Sequence, residues 1–147
     1  MQGFKEFITE ATEEEKNIQD TLKLLPKSHR QLVDGYKFRW QNGNTLKGDD
    51  GHIGIINPKT KTVTIAAPWN YGRQFTFLHE LAHKVWEFML DESARKTWAK
   101  IVKNTKNKLK QNAEELFCMA YANFYAKNKI VVHDHPEWME FIKNVPS

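Results

Sequence analysis

Apolar and polar positions along the chain follow two different periods. From Arg73 to Leu90 no Gly or Pro intervenes, and Leu81, Val85 and Phe88 form an apolar stripe, which predicts a helix with one buried face. Upstream, Tyr36-Lys37-Phe38-Arg39-Trp40 alternates as a strand does. His52–Ile56 and Thr62–Ala67 read as two more strands around an Asn57-Pro58-Lys59-Thr60 turn. In the second of these, Val63 and Ile65 share one side and Thr62 and Thr64 the other. Pro68 closes it, as suits a strand near the edge of a sheet. Residues 42–51 are rich in Gly, Asn and Asp and predict a loop. A first helix is expected from Lys16 to about Val33, with Ile18, Leu22 and Leu25 on one face and Pro26 interrupting it. After the long helix come Asp91–Asn104, Ala113–Lys127 and Glu137–Lys143, the last with Pro136 at its first position. Helix, small sheet, long helix and a mainly helical C-terminal half make an α+β domain.

At 147 residues the chain suits one domain, residues 16–147, preceded by a polar extension over residues 1–15 that ends in Glu13-Glu14-Glu15. With 40% hydrophobic and 12% aromatic residues it is not a disordered protein. No apolar run is long enough to cross a bilayer, and no secretory signal opens the chain, so no membrane role is expected. A single cysteine, Cys118, excludes an internal disulfide framework and fits a reducing, cytoplasmic setting. It lies in an apolar helix and reads as packing. Net charge is +4, with Lys96, Lys100, Lys103, Lys106, Lys108 and Lys110 crowded together. That run is either a weak DNA contact or a solvated helix face and loop, and no aromatic interleaving favours the DNA contact.

The chemistry centres on His79-Glu80-Leu81-Ala82-His83. On a helix, positions i and i+4 share a face, so both imidazoles can grip one Zn2+ ion, with Glu80 close enough to activate a water on it. The bland alternative is a surface helix with two coincidental histidines. A zinc site needs a third ligand, and Glu114 and Glu115 are the candidates, opening an apolar helix where acidic charge also suits the helix dipole. Helical phase favours Glu115, which shares a face with Met119, Ala122 and Ala126, whereas Glu114 lines up with Tyr121 and Tyr125. His133 and His135 flank Asp134 and form either a polar turn or a further donor; His29 and His52 read as structural or exposed.

Thr76-Phe77-Leu78-His79-Glu80-Leu81-Ala82-His83 with a downstream helical Glu resembles the zincin metallopeptidases of the gluzincin class. The lead-in Arg73-Gln74-Phe75-Thr76 is similar to the repressor-cleaving metallopeptidases of phages and stress responses. Glu115-Leu116-Phe117-Cys118-Met119-Ala120-Tyr121 is similar to the glutamate helix of the anthrax lethal factor type. The resemblance implies a zincin-like fold and a zinc-dependent endopeptidase. In it His79, His83 and Glu115 hold the metal, and Glu80 deprotonates the attacking water and passes the proton to the leaving amine. It also implies that an extended protein or peptide substrate pairs with a sheet-edge strand, the place filled here by Val63, Thr64, Ile65 and Ala66. There are departures: Lys84 follows the second His where an uncharged residue is common. Met119 replaces an acidic residue one turn after the glutamate, and Lys108 stands where the lethal factor type has Tyr. The oxyanion donor is unassigned among Tyr71, Tyr121 and His133.

Met1-Gln2-Gly3-Phe4-Lys5-Glu6-Phe7-Ile8-Thr9-Glu10 resembles the capsid-targeting segment of internal head proteins in T-even-like bacteriophages, which is cut after an apolar-x-Glu triplet such as Ile8-Thr9-Glu10. That resemblance implies a phage protein packaged in the virion. Removing the segment, whose Lys5, Glu6 and Glu10 sum to −1, would raise the net charge from +4 to +5. The alternative is a short amphipathic helix with Phe4, Phe7 and Ile8 on the core. Two rivals to the peptidase remain on sequence grounds: a non-catalytic zinc-binding module and a basic, DNA-associated head protein.

Overall fold

The computed structural model describes residues 16, 18–41, 54–66, 72–105, 111–126 and 135–147. The expected targeting segment, the 42–51 loop, His52, Tyr71, His133 and the lysines from Lys106 to Lys110 lie outside them.

The N-terminal helical segment breaks where Pro26 removes a backbone donor. Helix α1 covers residues 18–23. Helix α2 (Lys27–Arg30) and a 3-10 turn (Gln31–Val33) follow. Gly35, at φ 77°, then turns the chain into strand β1 (Lys37–Gln41). Strands β2 (Gly54–Asn57) and β3 (Thr62–Ala66) form a hairpin. Its turn is held by the Asn57 side chain, which accepts from the backbone N–H of Lys59 at 3.0 Å and of Thr60 at 3.3 Å.

Strand order is β1-β3-β2, with β1 parallel and β2 antiparallel to β3. This overturns the expectation that β3 is the substrate-pairing edge. Val63, Thr64 and Ile65 are paired on both sides, to Phe38, Arg39 and Trp40 and to Ile56, Ile55 and Gly54, and Ala66 pairs with Gln41. With ladder partners on both sides, Val63, Thr64 and Ile65 offer no edge to a peptide, and the side chains of Val63 and Ile65 are fully buried. Pro68, expected to close this strand, lies outside the described residues.

Helix α3 (Gly72–Met89) lies against β2 and β3 and makes its most extensive contact with helix α5 (Ala113–Tyr125). Helix α4 (Glu92–Asn104) starts directly after α3, capped by Asp91, which accepts from Ala94 N–H at 2.7 Å. Arg95 donates to the carbonyls of Trp86 and Glu87 and so satisfies the open end of α3. Helix α6 (Pro136–Lys143) closes the core. Trp98, Trp138, Phe117, Tyr121 and Phe77 are all fully buried. The indole N–H groups of Trp98 and Trp138 are met by Ala113 O at 2.7 Å and Thr105 Oγ1 at 3.2 Å. The domain is therefore α+β, mostly helical with a small three-stranded sheet. Among the described residues no helix is long and apolar enough to cross a membrane.

Candidate metal centre

Two helices build the site. The apolar residues Phe77, Leu78, Leu81, Ala82 and Val85 seat α3 in the core and leave His79 and His83, one turn apart, at the α3–α5 seam. Across it, Asn112 caps α5 by accepting from Glu115 N–H at 2.8 Å, which fixes Glu114 and Glu115 in the first turn. Asn112-Ala113-Glu114-Glu115 has the spacing of a capping box, in which a glutamate would reach back to the cap. Glu115 instead turns its carboxylate to α3. Its Oε2 lies 3.1 Å from His79 Nε2 and its Oε1 3.2 Å from His83 Nε2.

Glu114 faces the other side of the second ring, where His83 Nδ1 donates to Glu114 Oε2 at 2.6 Å. The two acidic residues left open by sequence thus take different places. Glu115 meets both Nε2 atoms and Glu114 orients one ring. Chain placement accounts for this: consecutive helical residues differ by about 100° in direction, so only one of them can point between the histidines.

Electrostatics follow the geometry. Glu115, then Glu114 and Glu80, raise His83 to about 9 against the opposing effect of burial. The imidazoles of His79 and His83 hold the Glu115 carboxyl well below the usual range. Glu80 is close enough for its charge to act on His83 and on Cys118. The site is partly open to solvent, with His79 14%, His83 31% and Glu115 35% exposed.

A further donor was hidden from sequence reasoning. The sulfur of Cys118 and the ring nitrogens of His79 and His83 lie within 4.8 Å of one another. Two donor triplets therefore share the histidines, one completed by Glu115 and one by Cys118. The Glu115 triplet is the better formed, because its oxygens already meet both nitrogens at 3.1 and 3.2 Å. Cys118 is fully buried, and burial, with Glu115, Glu114 and Glu80, pushes its thiol well above the usual range. The available signal was its spacing, three residues beyond Glu115 on one helix.

No family model, no curated protein and no solved structure matches the chain. Zinc bonds of about 2.0–2.1 Å to nitrogen and oxygen imply ligand atoms about 3.3–3.4 Å apart in a tetrahedron. The His79 and His83 contacts of 3.1 and 3.2 Å are close to that spacing, each made by a different oxygen of Glu115.

The remaining candidates are sorted as plainly. Tyr121 cannot serve as an oxyanion donor, because it is fully buried and its hydroxyl lies 2.9 Å from His29 Nδ1. His29, far from exposed, is itself buried and donates from Nε2 to the carbonyl of Pro146 at 2.7 Å. Lys84 lies over the rings of Tyr36 and Phe88, 4.9 and 5.5 Å from their centroids, so aromatic faces account for its charge on this helix. Lys96 pairs with Glu92 at 3.3 Å on an exposed face of α4, as a solvated helix face would.

Proposed function

We propose that the chain is a zinc-dependent endopeptidase of zincin type, with His79, His83 and Glu115 as metal ligands and Glu80 as general base. One observation carries the reading: the two oxygens of one carboxylate each meet one Nε2 of a helical His-x-x-x-His pair, at 3.1 and 3.2 Å. Zinc held there would supply the Lewis acidity that makes water a nucleophile at neutral pH and polarises a peptide carbonyl. Glu80 takes the proton from the attacking water and gives it to the leaving amine. Glu114 accepts the Nδ1–H of His83 and so keeps Nε2 free for the metal. Strand β2, the outer strand that contacts α3, offers its outer edge among the described residues to an extended peptide.

The test is metal content together with Glu80→Gln. Purified protein should hold about one zinc per chain. Glu80→Gln should keep that zinc while cleavage of a broad peptide library falls by about 10²–10⁴-fold. Undiminished cleavage by the variant would sink the mechanism, and failure of the native chain to take up zinc would sink the site.

A further inference from the structure

We propose that Cys118 is a fourth zinc ligand that closes this centre from its core side. The proposal rests on the zinc reading above and adds a donor to it. Helix α3 presents His79 and His83 one turn apart, and helix α5 presents Glu115 and Cys118 three residues apart on one face. Each helix thus supplies two donors to the same seam. Glu115, 35% exposed, approaches from the solvent side, while Cys118, fully buried, lies on the inner side. Packing accounts for a small apolar side chain beside Phe117 and Ala120. It does not account for a sulfur set within 4.8 Å of two imidazole nitrogens.

The metric requirements are close to met. Zinc bonds of about 2.3 Å to sulfur and 2.0–2.1 Å to nitrogen place those atoms about 3.6 Å apart in a tetrahedron. From within 4.8 Å, the sulfur has to approach the imidazole nitrogens by at most about 1.2 Å, within the sweep of a cysteine χ1 rotation. As the zinc–sulfur bond forms, the thiol proton leaves to solvent. No electron is transferred and no oxidant is needed. The carboxylate and the thiolate then balance both charges of the dication.

Four protein ligands fill a tetrahedral zinc, as in structural sites, whereas catalytic sites keep one position for water. A centre closed by Cys118 is therefore latent, and Glu80 acquires a water to act on only when the sulfur leaves. On this account the native chain cleaves peptides poorly, and Cys118→Ser is the more active protein.

Cobalt(II) substitution tests this without relying on activity. Native protein loaded with cobalt should show a near-ultraviolet thiolate-to-cobalt charge-transfer band, and Cys118→Ser should bind cobalt in the same ratio without it. Because Cys118 is the only cysteine, the band can have no other thiolate source. Sulfur counted at zinc by X-ray absorption on the native chain gives the same answer independently of how the variant folds. Bound cobalt with no band, and no sulfur at zinc, would overturn the role of Cys118 and leave the His79, His83 and Glu115 centre standing. No bound metal in the native chain would overturn both.

Discussion

Two of the histidines that helix α5 touches, His83 and His29, meet opposite electrostatic surroundings. His83 has a carboxylate on each ring nitrogen, Glu114 on Nδ1 and Glu115 on Nε2, and its pKa rises to about 9. Among the described residues His29 has neutral partners, the Tyr121 hydroxyl and the Pro146 carbonyl, and burial lowers its pKa. Its protonation pattern is dictated by those partners. A carbonyl can only accept, so Nε2 carries the proton and Nδ1 accepts from Tyr121. The side chain of His83 is 31% exposed and His29 is 1% exposed. The difference separates an imidazole held between carboxylates from one fastened between neutral groups.

The sharpest way to break the comparison is to neutralise the carboxylates of one cluster only. Glu114→Gln should weaken zinc binding by about 10–100-fold, the usual cost of losing an outer-shell partner of a ligating histidine. Glu115→Ala should cost more, since a ligand itself is lost. Chelator competition measures both, and unchanged zinc affinity in Glu115→Ala would remove that residue from the centre.

A second test uses pH. With its pKa raised above the unfolded value, the His83 imidazolium contributes stability that is fully present below about pH 6.5 and lost as pH rises through about 9. Zinc must displace that proton. Its affinity should therefore fall about tenfold for each unit of pH below about 9, until other groups titrate. Zinc titrations at several pH values check this, and a flat profile would place the metal away from His83.

The smallest effect is expected at the other histidine. His29→Ala leaves the Tyr121 hydroxyl and the Pro146 carbonyl without this partner and should cost about 1–3 kcal/mol in denaturant unfolding, with zinc stoichiometry unchanged. The sign of its pH effect is opposite to that of His83. A lowered folded pKa means stability that is full above about pH 6.5 and declines as pH falls toward the folded value. That acid-side loss should flatten in His29→Ala.

Local features of this molecule were legible in its sequence, and long-range ones were not. The apolar stripe around Leu81 and Val85 gave the limits of α3 to within a residue, and Pro26 and Pro136 marked a break and a start correctly. Helical phase pointed to Glu115 because direction around a helix is a local property. Strand order is not local. Alternation in Thr62–Ala66 identifies a strand with two faces, but β1 reaches it as a parallel neighbour from across an intervening segment, which makes it central. Cys118 reads as packing from its apolar helix and is indeed buried in the core, while its nearness to His79 and His83 depends on the facing helix. The bond between His29 and Tyr121 joins residues 92 apart and leaves no trace in spacing.

The tie between His29 and Pro146 has a practical side for handling the protein. The Pro146 carbonyl is anchored through the His29 ring to Tyr121. Tyr121 stands on the helix that carries Glu115 and Cys118. A load on the Pro146 backbone is therefore passed through two contacts into the α5 helix. Labels placed on the exposed face of α4, at Lys96 or Lys100, avoid that path.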